Sequence, residues 1–350
     1  MTAVRFSVLI PVFNAEGFVG ELLDSFPRPL PTAFELIVVD DGSTDRTAKI
    51  LETHPLRPWI RVVRSLVNEG PAAARNRAAA SSSGEFLLFF DSDVVLLPGT
   101  LTNVERYVEA HPGVRCASGV DAPESATPGW VPRFLALYSR FALELMPEDS
   151  VASAWNPRAG LLERALFQEV GGFDSRYRRA DVEDYALSRK VSEITPIRFT
   201  RSIEVMHRFG GLVPTTASFF RRSRYWVELA WRTRRLDRTG HTRTSHLPAV
   251  LLSFAVGGCA LASPWLPLRW PWTAMLALFL GVNGALLRFF VRHAGVMRGI
   301  SFLGLLMYFH WLAGLGALVG ALRVAAGLVV PAKDVREPRR ALTSTVGLLP

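Results

Sequence analysis

The sequence predicts an α/β fold with a mostly parallel central sheet covered by helices, followed by C-terminal transmembrane α-helices. Three features predict it. Short apolar runs alternate with helix-patterned stretches through residues 6–93, and polar residues follow each run directly. Three long apolar runs then occupy 247–330 without one Lys, Asp or Glu.

The runs at 6–12 (FSVLIPV), 36–39 (LIVV), 60–63 (IRVV) and 86–90 (FLLFF) are largely β-branched, aliphatic or aromatic, as strands buried on both faces require. Helical patterning fills 15–26, 44–51 and 71–82, with Ser43 placed as an N-cap and Pro71 in a first turn. This alternation implies right-handed crossovers between parallel strands, whose ligands bind beyond the strands' carboxyl ends. Asn14, Asp40-Asp41-Gly42-Ser43, Asn68-Glu69-Gly70 and Asp91-Ser92-Asp93 stand at those ends.

Asp91 and Asp93 share one strand face because side chains alternate with period two. Two hard oxygen ligands on one edge suit Mg²⁺ or Mn²⁺ held partly by substrate phosphate. The triplet alone also reads as a solvated turn. Likewise, residues 40–45 read as a turn with a helix cap, and Arg75 as a solvated helix residue or as a cation for a diphosphate.

In order and spacing, FSVLIPVFNAE, LIVVDDGSTDRT, NEGPAAARNRA and FFDSDVVLLPG resemble the nucleotide-diphospho-sugar-binding half of family-2 glycosyltransferases. The resemblance implies a Rossmann-like nucleotide-diphospho-sugar transferase fold. It also implies that Pro11, Val12 and Asn14 hold the nucleoside and that Asp41 accepts from its base. Arg75 would face the base or diphosphate, and Asp91 and Asp93 would bind the divalent metal bridging the phosphates.

The resemblance continues through NPRAGLLERALFQEVGGFD at 156–174 and ADVEDYALSR at 180–189, where Glu183-Asp184 matches the family's Glu-Asp pair. An inverting transfer needs one base to take the acceptor hydroxyl's proton, and Asp184 is assigned that role, with Glu183 and Asp181 as alternatives. A carboxylate favoured by the helix dipole is the structural reading of the same position. Relatives often carry a further acid two residues on, where this chain has Ala186. His207, in VMHRFGG, stands where relatives supply a third metal ligand or a diphosphate contact; a purely structural His is the other reading.

The net charge of +9 divides unevenly. Residues 1–200 are net −5, residues 201–246 net +7, and the apolar segment 247–330 carries five Arg. Arg and aromatic residues interleave at helical spacing over 219–238, which fits a helix lying on anionic lipid. Nucleic acid is the rival polyanion, but no nucleic-acid motif is present. The stretch 221–226 only faintly resembles the Gln-x-x-Arg-Trp signature of processive synthases, so processivity is not inferred.

The runs 247–268, 271–291 and 300–330 each meet the ~20 residues that cross a bilayer as a helix. The basic segment before them places the front of the chain in the cytoplasm, giving a multi-pass protein of the inner (plasma) membrane with two to three helices. The expected organisation is a catalytic domain at 1–240, with a donor half at 1–95 and an acceptor half at 96–240, a membrane domain at 247–330 and a basic tail at 331–350. Two cysteines form no disulfide framework, and residues 1–5 run straight into a strand with no signal peptide expected.

The function expected is a membrane-bound, metal-dependent, inverting transfer of sugar from a nucleotide diphosphate donor to a lipid-linked or membrane-adjacent acceptor. The pathway class would be glycolipid or cell-surface polysaccharide synthesis. The alternatives are a polyprenyl-phosphate glycosyl synthase and a non-catalytic nucleotide-sugar-binding scaffold.

Overall fold

The computed structural model describes residues 4–152, 154–176, 183–233, 246–262 and 269–329. The front of the chain alternates as β1 (Phe6–Val12), α1 (Val19–Asp24), β2 (Phe34–Asp40), α2 (Thr47–Thr53), β3 (Ile60–Arg64), α3 (Pro71–Ala80) and β4 (Phe86–Phe89). It continues through β5 (Val94–Leu96), α4 (Thr100–Ala110), β6 (Cys116–Ser125), α5 (Trp130–Glu144), β7 (Gly160–Glu163), α6 (Arg164–Glu169), α7 (Glu183–Ser192) and β8 (Arg198–His207).

The eight strands among the described residues form one sheet in the order β3-β2-β1-β4-β7-β6-β8-β5. The first four are parallel, as the alternation requires, while β7 runs antiparallel to both β4 and β6. Period-two alternation splits the core between two faces. Val8 and Ile10 pack with Leu22, Leu51 and Val104 of α1, α2 and α4, whereas Leu9 and Phe89 pack with α3, α6, α7 and Trp155.

Ser43 does not cap α2. The helix begins at Thr47, whose N–H donates to Asp45 Oδ1 at 2.9 Å, and the Ser43 hydroxyl instead accepts from the Asn14 N–H at 3.0 Å. The loop wins because its side chains satisfy backbone donors across the β1 and β2 ends as well as within the turn.

The C-terminal part comprises α8 (Leu212–Thr233), α9 (His246–Ala262), α10 (Arg269–Val282), α11 (Gly284–Ala294) and α12 (Val296–Ala325). Among the described residues only α12 is by itself long and apolar enough to cross a membrane. The expected second span is broken: α10 and α11 meet at 68° around Asn283, where Gly281, Asn283 and Gly284 disfavour continuous helix. The apolar stretch Pro248–Ala262 of α9 is shorter than a span needs, and 263–268 of the first run lies outside the described residues. Three clean crossings are therefore not supported.

These helices are also continuous with the α/β part. Phe134 and Leu137 of α5 share a buried cluster with Phe290, Phe302 and Phe309, and the Trp130 Nε1 donates to Ser301 Oγ at 3.0 Å. Helix α12 lies hard against α8. A Cβ on Gly316 would stand 2.4 Å from the Phe220 carbonyl oxygen, and one on Gly320 2.8 Å from that of Arg224. Such four-residue glycine spacing lets two helix backbones approach closely. Buried Glu228 of α8 completes the contact by accepting from Arg323 at 2.9 Å.

Candidate active site

The sheet register gathers the expected site residues at one edge. Val12 pairs with Asp40 across parallel strands, so Asn14 and Asp41 leave side by side. Antiparallel β7 enters the sheet at that same edge, with Gly160 opposite Phe89, which puts Arg158 near Asp91. Val94 pairs with His207, so the end of β8 stands beside Asp93.

On the donor side, Asn14 adopts a left-handed conformation (φ 47°), and its Oδ1 accepts from the Thr44 N–H at 2.9 Å. Pro11 is half-buried and Val12 buried, so backbone and Asn14 are what these residues offer a ligand. Asp41 is buried; its Oδ2 accepts from the N–H groups of Glu69 and Gly70 at 3.1 and 2.8 Å. Gly42 has φ 77°, and a Cβ there would meet the Val67 carbonyl carbon at 2.7 Å, so the 65–70 loop can close on Asp41 only over a glycine. Asp41 Oδ1 is shut from solvent with no hydrogen-bond partner, although Arg77 Nη1 lies 3.8 Å away.

Arg75 is placed differently from the expectation. Its guanidinium is buried between two carboxylates, with Nη2 2.6 Å from Asp91 Oδ1 and Nη1 3.0 Å from Glu183 Oε1. The ring of Phe173 lies 5.3 Å from its Cζ. Arg75 thus joins α3, the Asp91–Asp93 segment and the start of α7, and Glu183 is occupied as its partner.

Asp93 and His207 come together: His207 Nε2 is 3.3 Å from Asp93 Oδ2. Asp93 Oδ1 is sealed from solvent without a hydrogen-bond partner. Burial works against ionisation of Asp93, but the adjacent His207 and Arg158 hold its carboxyl below the usual range. Among the described residues no three His, Cys, Asp or Glu groups form a complete ligand cluster. What the edge does offer is one orphaned carboxylate oxygen beside an imidazole. That donor set fits a hard divalent cation whose remaining ligands come from substrate phosphate and water.

Asp184 lies in the first turn of α7 next to Glu183. Burial, reinforced by the Glu183 charge, pushes its carboxyl up to about 6. Asp181, the alternative base, lies outside the described residues.

Two residues of this edge carry no sequence signal for the role. Arg158 donates from Nη2 to buried Asp121 Oδ2 at 3.1 Å, and its Nη1 lies 3.2 Å from His207 Nδ1. Asp121 also accepts from Ser139 Oγ at 2.8 Å. Strand β6 carries two acids, Asp121 and Glu124, and only its pairing with β7 and β8 shows where Asp121 sits.

Residues 7–167 match the family model described as glycosyl transferase family 2. The chain carries a family-2 glycosyltransferase domain. Over 156 residues, 41% of the chain, it is 33% identical to the poly(ribitol-phosphate) β-N-acetylglucosaminyltransferase TarS of Staphylococcus aureus, and the match spans 27% of that protein. A poly(ribitol-phosphate) β-glucosyltransferase of Bacillus spizizenii is 39% identical over 94 residues, 26% of the chain and 15% of the relative. An uncharacterised Mycobacterium tuberculosis protein is 30% identical over 191 residues, 51% of the chain and 59% of its own length. Among solved structures, the mannosyltransferase PcManGT of Pyrobaculum calidifontis, in complex with GDP-Man and Mn²⁺, superimposes with a TM-score of 0.58 and 21% identity. The superposition covers 90% of this chain and 87% of that one. The matched residues therefore sit in the expected transferase fold and include Asp91 and Asp93, while Asp184 and His207 lie beyond them in sequence.

Proposed function

We propose that the protein is an inverting glycosyltransferase that moves a sugar from a nucleotide diphosphate donor to a hydroxyl of a membrane-adjacent or lipid-linked acceptor. The observation that carries this reading is Asp184, a carboxylate with its proton affinity raised to about 6, held one residue from the Glu183–Arg75–Asp91 tie. Relatives named as transferring sugar to poly(ribitol-phosphate) support a hydroxyl-bearing acceptor.

The donor's nucleoside would lie over Asn14 and Asp41, and its diphosphate near Asp91 and Asp93. A Mg²⁺ or Mn²⁺ ion held by Asp93 and His207, with Asp91 next to it, would neutralise charge on the departing diphosphate. Asp184 accepts the acceptor hydroxyl's proton as that oxygen bonds the anomeric carbon and the bond to the diphosphate oxygen breaks. A carboxylate that titrates near 6 is ionised at neutral pH and is a stronger base than an ordinary aspartate.

The helical part would hold this edge at a bilayer. Leu251, Leu261, Trp270, Leu278, Met297, Ile300, Leu318 and Leu322 expose apolar surface on α9, α10 and α12. Arg221 and Arg222 of α8, with Arg288, Arg292 and Arg298, supply cations for anionic headgroups. The attachment would be cytoplasmic-side, with α12 as the one unbroken helix of spanning length among the described residues.

The test is incubation of the purified protein with Mn²⁺, a panel of nucleotide sugars and a membrane lipid extract, read by mass spectrometry. A hexose-sized mass increment on one acceptor that disappears in Asp184→Asn supports the reading. Donor turnover equal in the two proteins overturns it.

A further inference from the structure

Arg158 belongs to the resembling stretch at 156–174, but the resemblance implies no role for it. It precedes β7, yet its guanidinium projects into the space bounded by Asp91, Asp93, Asp121, Asp184 and His207. Nη2 is anchored on the Asp121 carboxylate, which is 1% exposed. Nη1 stands 3.2 Å from His207 Nδ1 and 3.5 Å from Nε2, and the latter nitrogen faces Asp93 at 3.3 Å.

Nη1 is nearly equidistant from the two ring nitrogens, which places it over the face of the His207 imidazole rather than in line with either lone pair. The conflict with a metal is therefore one of charge. A divalent ion on Asp93 and His207 would stand a few ångströms from a fixed positive charge in a partly desolvated edge. The repulsion sets the two cations against each other at His207.

We infer that Arg158 is a built-in placeholder: its charge lies against His207 while the divalent ion is absent and shifts toward Asp121 when the ion binds. The placeholder lets an edge with five carboxylate and imidazole groups stay compact before loading, and it weakens metal binding in the absence of donor. Arg158 is thus a positioning residue that couples metal entry to donor arrival, since donor phosphates add the negative charge that offsets the repulsion. The inference rests on the proposed metal role of Asp93 and His207.

The experiment is titration of the full-length, donor-free protein with Mn²⁺ alone, read by loss of the free-ion electron paramagnetic resonance signal. Arg158→Gln is expected to tighten Mn²⁺ binding about tenfold or more. Adding UDP is expected to improve binding by a larger factor in the wild type than in the variant. The double variant Asp121→Asn/Arg158→Gln removes both partners of the buried pair and is expected to show the same gain if the single variant folds poorly. Unchanged or weaker binding in the Arg158 variants, with binding still lost in Asp93→Asn, overturns the placeholder and leaves the metal site standing. Binding that ignores Asp93→Asn as well overturns both.

Discussion

Arg75 and Glu183, 108 residues apart in the chain, form a buried ion pair with Nη1 3.0 Å from Oε1. The same guanidinium holds Asp91 at 2.6 Å, so one side chain fixes the distance between the expected metal-binding segment and the helix that carries the expected base. In this structure the Arg75 guanidinium is thus shared between two carboxylates.

Replacing Arg75 by Met strands the buried Glu183 and the half-buried Asp91 without their counter-charge. Breaking a buried ion pair from one side costs about 3–5 kcal/mol. The melting temperature should fall sharply, and Arg75→Lys should recover part of the stability but little transfer, because an ammonium cannot serve both carboxylates in the same planar geometry. Thermal melts and donor-turnover assays of the two variants check this.

The Asp184 carboxyl gives a pH prediction with a definite sign. Its folded value of about 6 lies above the usual aspartate range, so the native state binds this proton more tightly than the unfolded chain does. The stability it contributes is fully present below about pH 4 and is lost as pH rises through 6, a swing of about 2–3 kcal/mol. Asp184→Asn should therefore melt higher than the wild type at pH 7.5 and converge with it near pH 4. Activity should run the other way, with kcat/KM rising through pH 6 in the wild type and falling by about 10²–10⁴-fold in the Asn variant. Transfer that survives in Asp184→Asn would point to a phosphate acceptor, which needs little deprotonation.

The α/β half was legible because its strands are buried on both faces: FSVLIPV and FLLFF carry their burial in their own composition. The placement of Asp91, Asp93, Asp41 and Asn14 at one sheet edge was legible because parallel strands leave the residues just after each run side by side. Arg158 and Asp121 were not, because their meeting depends on β7 running antiparallel between β4 and β6, and no local pattern encodes that pairing. Arg75 was found but its geometry was not, since a helix position does not reveal that two carboxylates from distant segments converge on it. In the C-terminal part, apolar length hid the break at Asn283 and the shared core beneath α5.

That shared core opposes a free-standing catalytic domain at 1–240. Phe134 is 1% exposed and stacks on Phe309 with ring centroids 5.6 Å apart, and Leu137 is fully buried in the same cluster. Cutting the chain at 240 would bare this face of α5 together with the α12-facing side of α8. The fragment 1–240 should aggregate or elute as large oligomers in size-exclusion chromatography without detergent, while the full chain in detergent stays monodisperse. A monodisperse fragment with the full chain's melting temperature would show that the two parts are independent.

The α8–α12 contact makes a final, sharper test of how the helical part is joined. Gly316 faces the Phe220 carbonyl oxygen so closely that a Cβ would come within 2.4 Å, and backbone cannot move aside as a flexible side chain can. Gly316→Leu must therefore push α12 away from α8, at about 1–3 kcal/mol for overpacking. The same displacement strains the Arg323–Glu228 pair, whose carboxylate is buried and also 3.5 Å from Arg224. Leu at the exposed position Gly304, which has open space around it, should be tolerated and serves as the control. If α8 conveys the bilayer-facing helices to the catalytic edge, Gly316→Leu should lower transfer to a membrane acceptor more than it lowers donor hydrolysis. Equal loss of both would mean that the substitution simply unfolds the protein, and a melting curve alongside the assays separates the two.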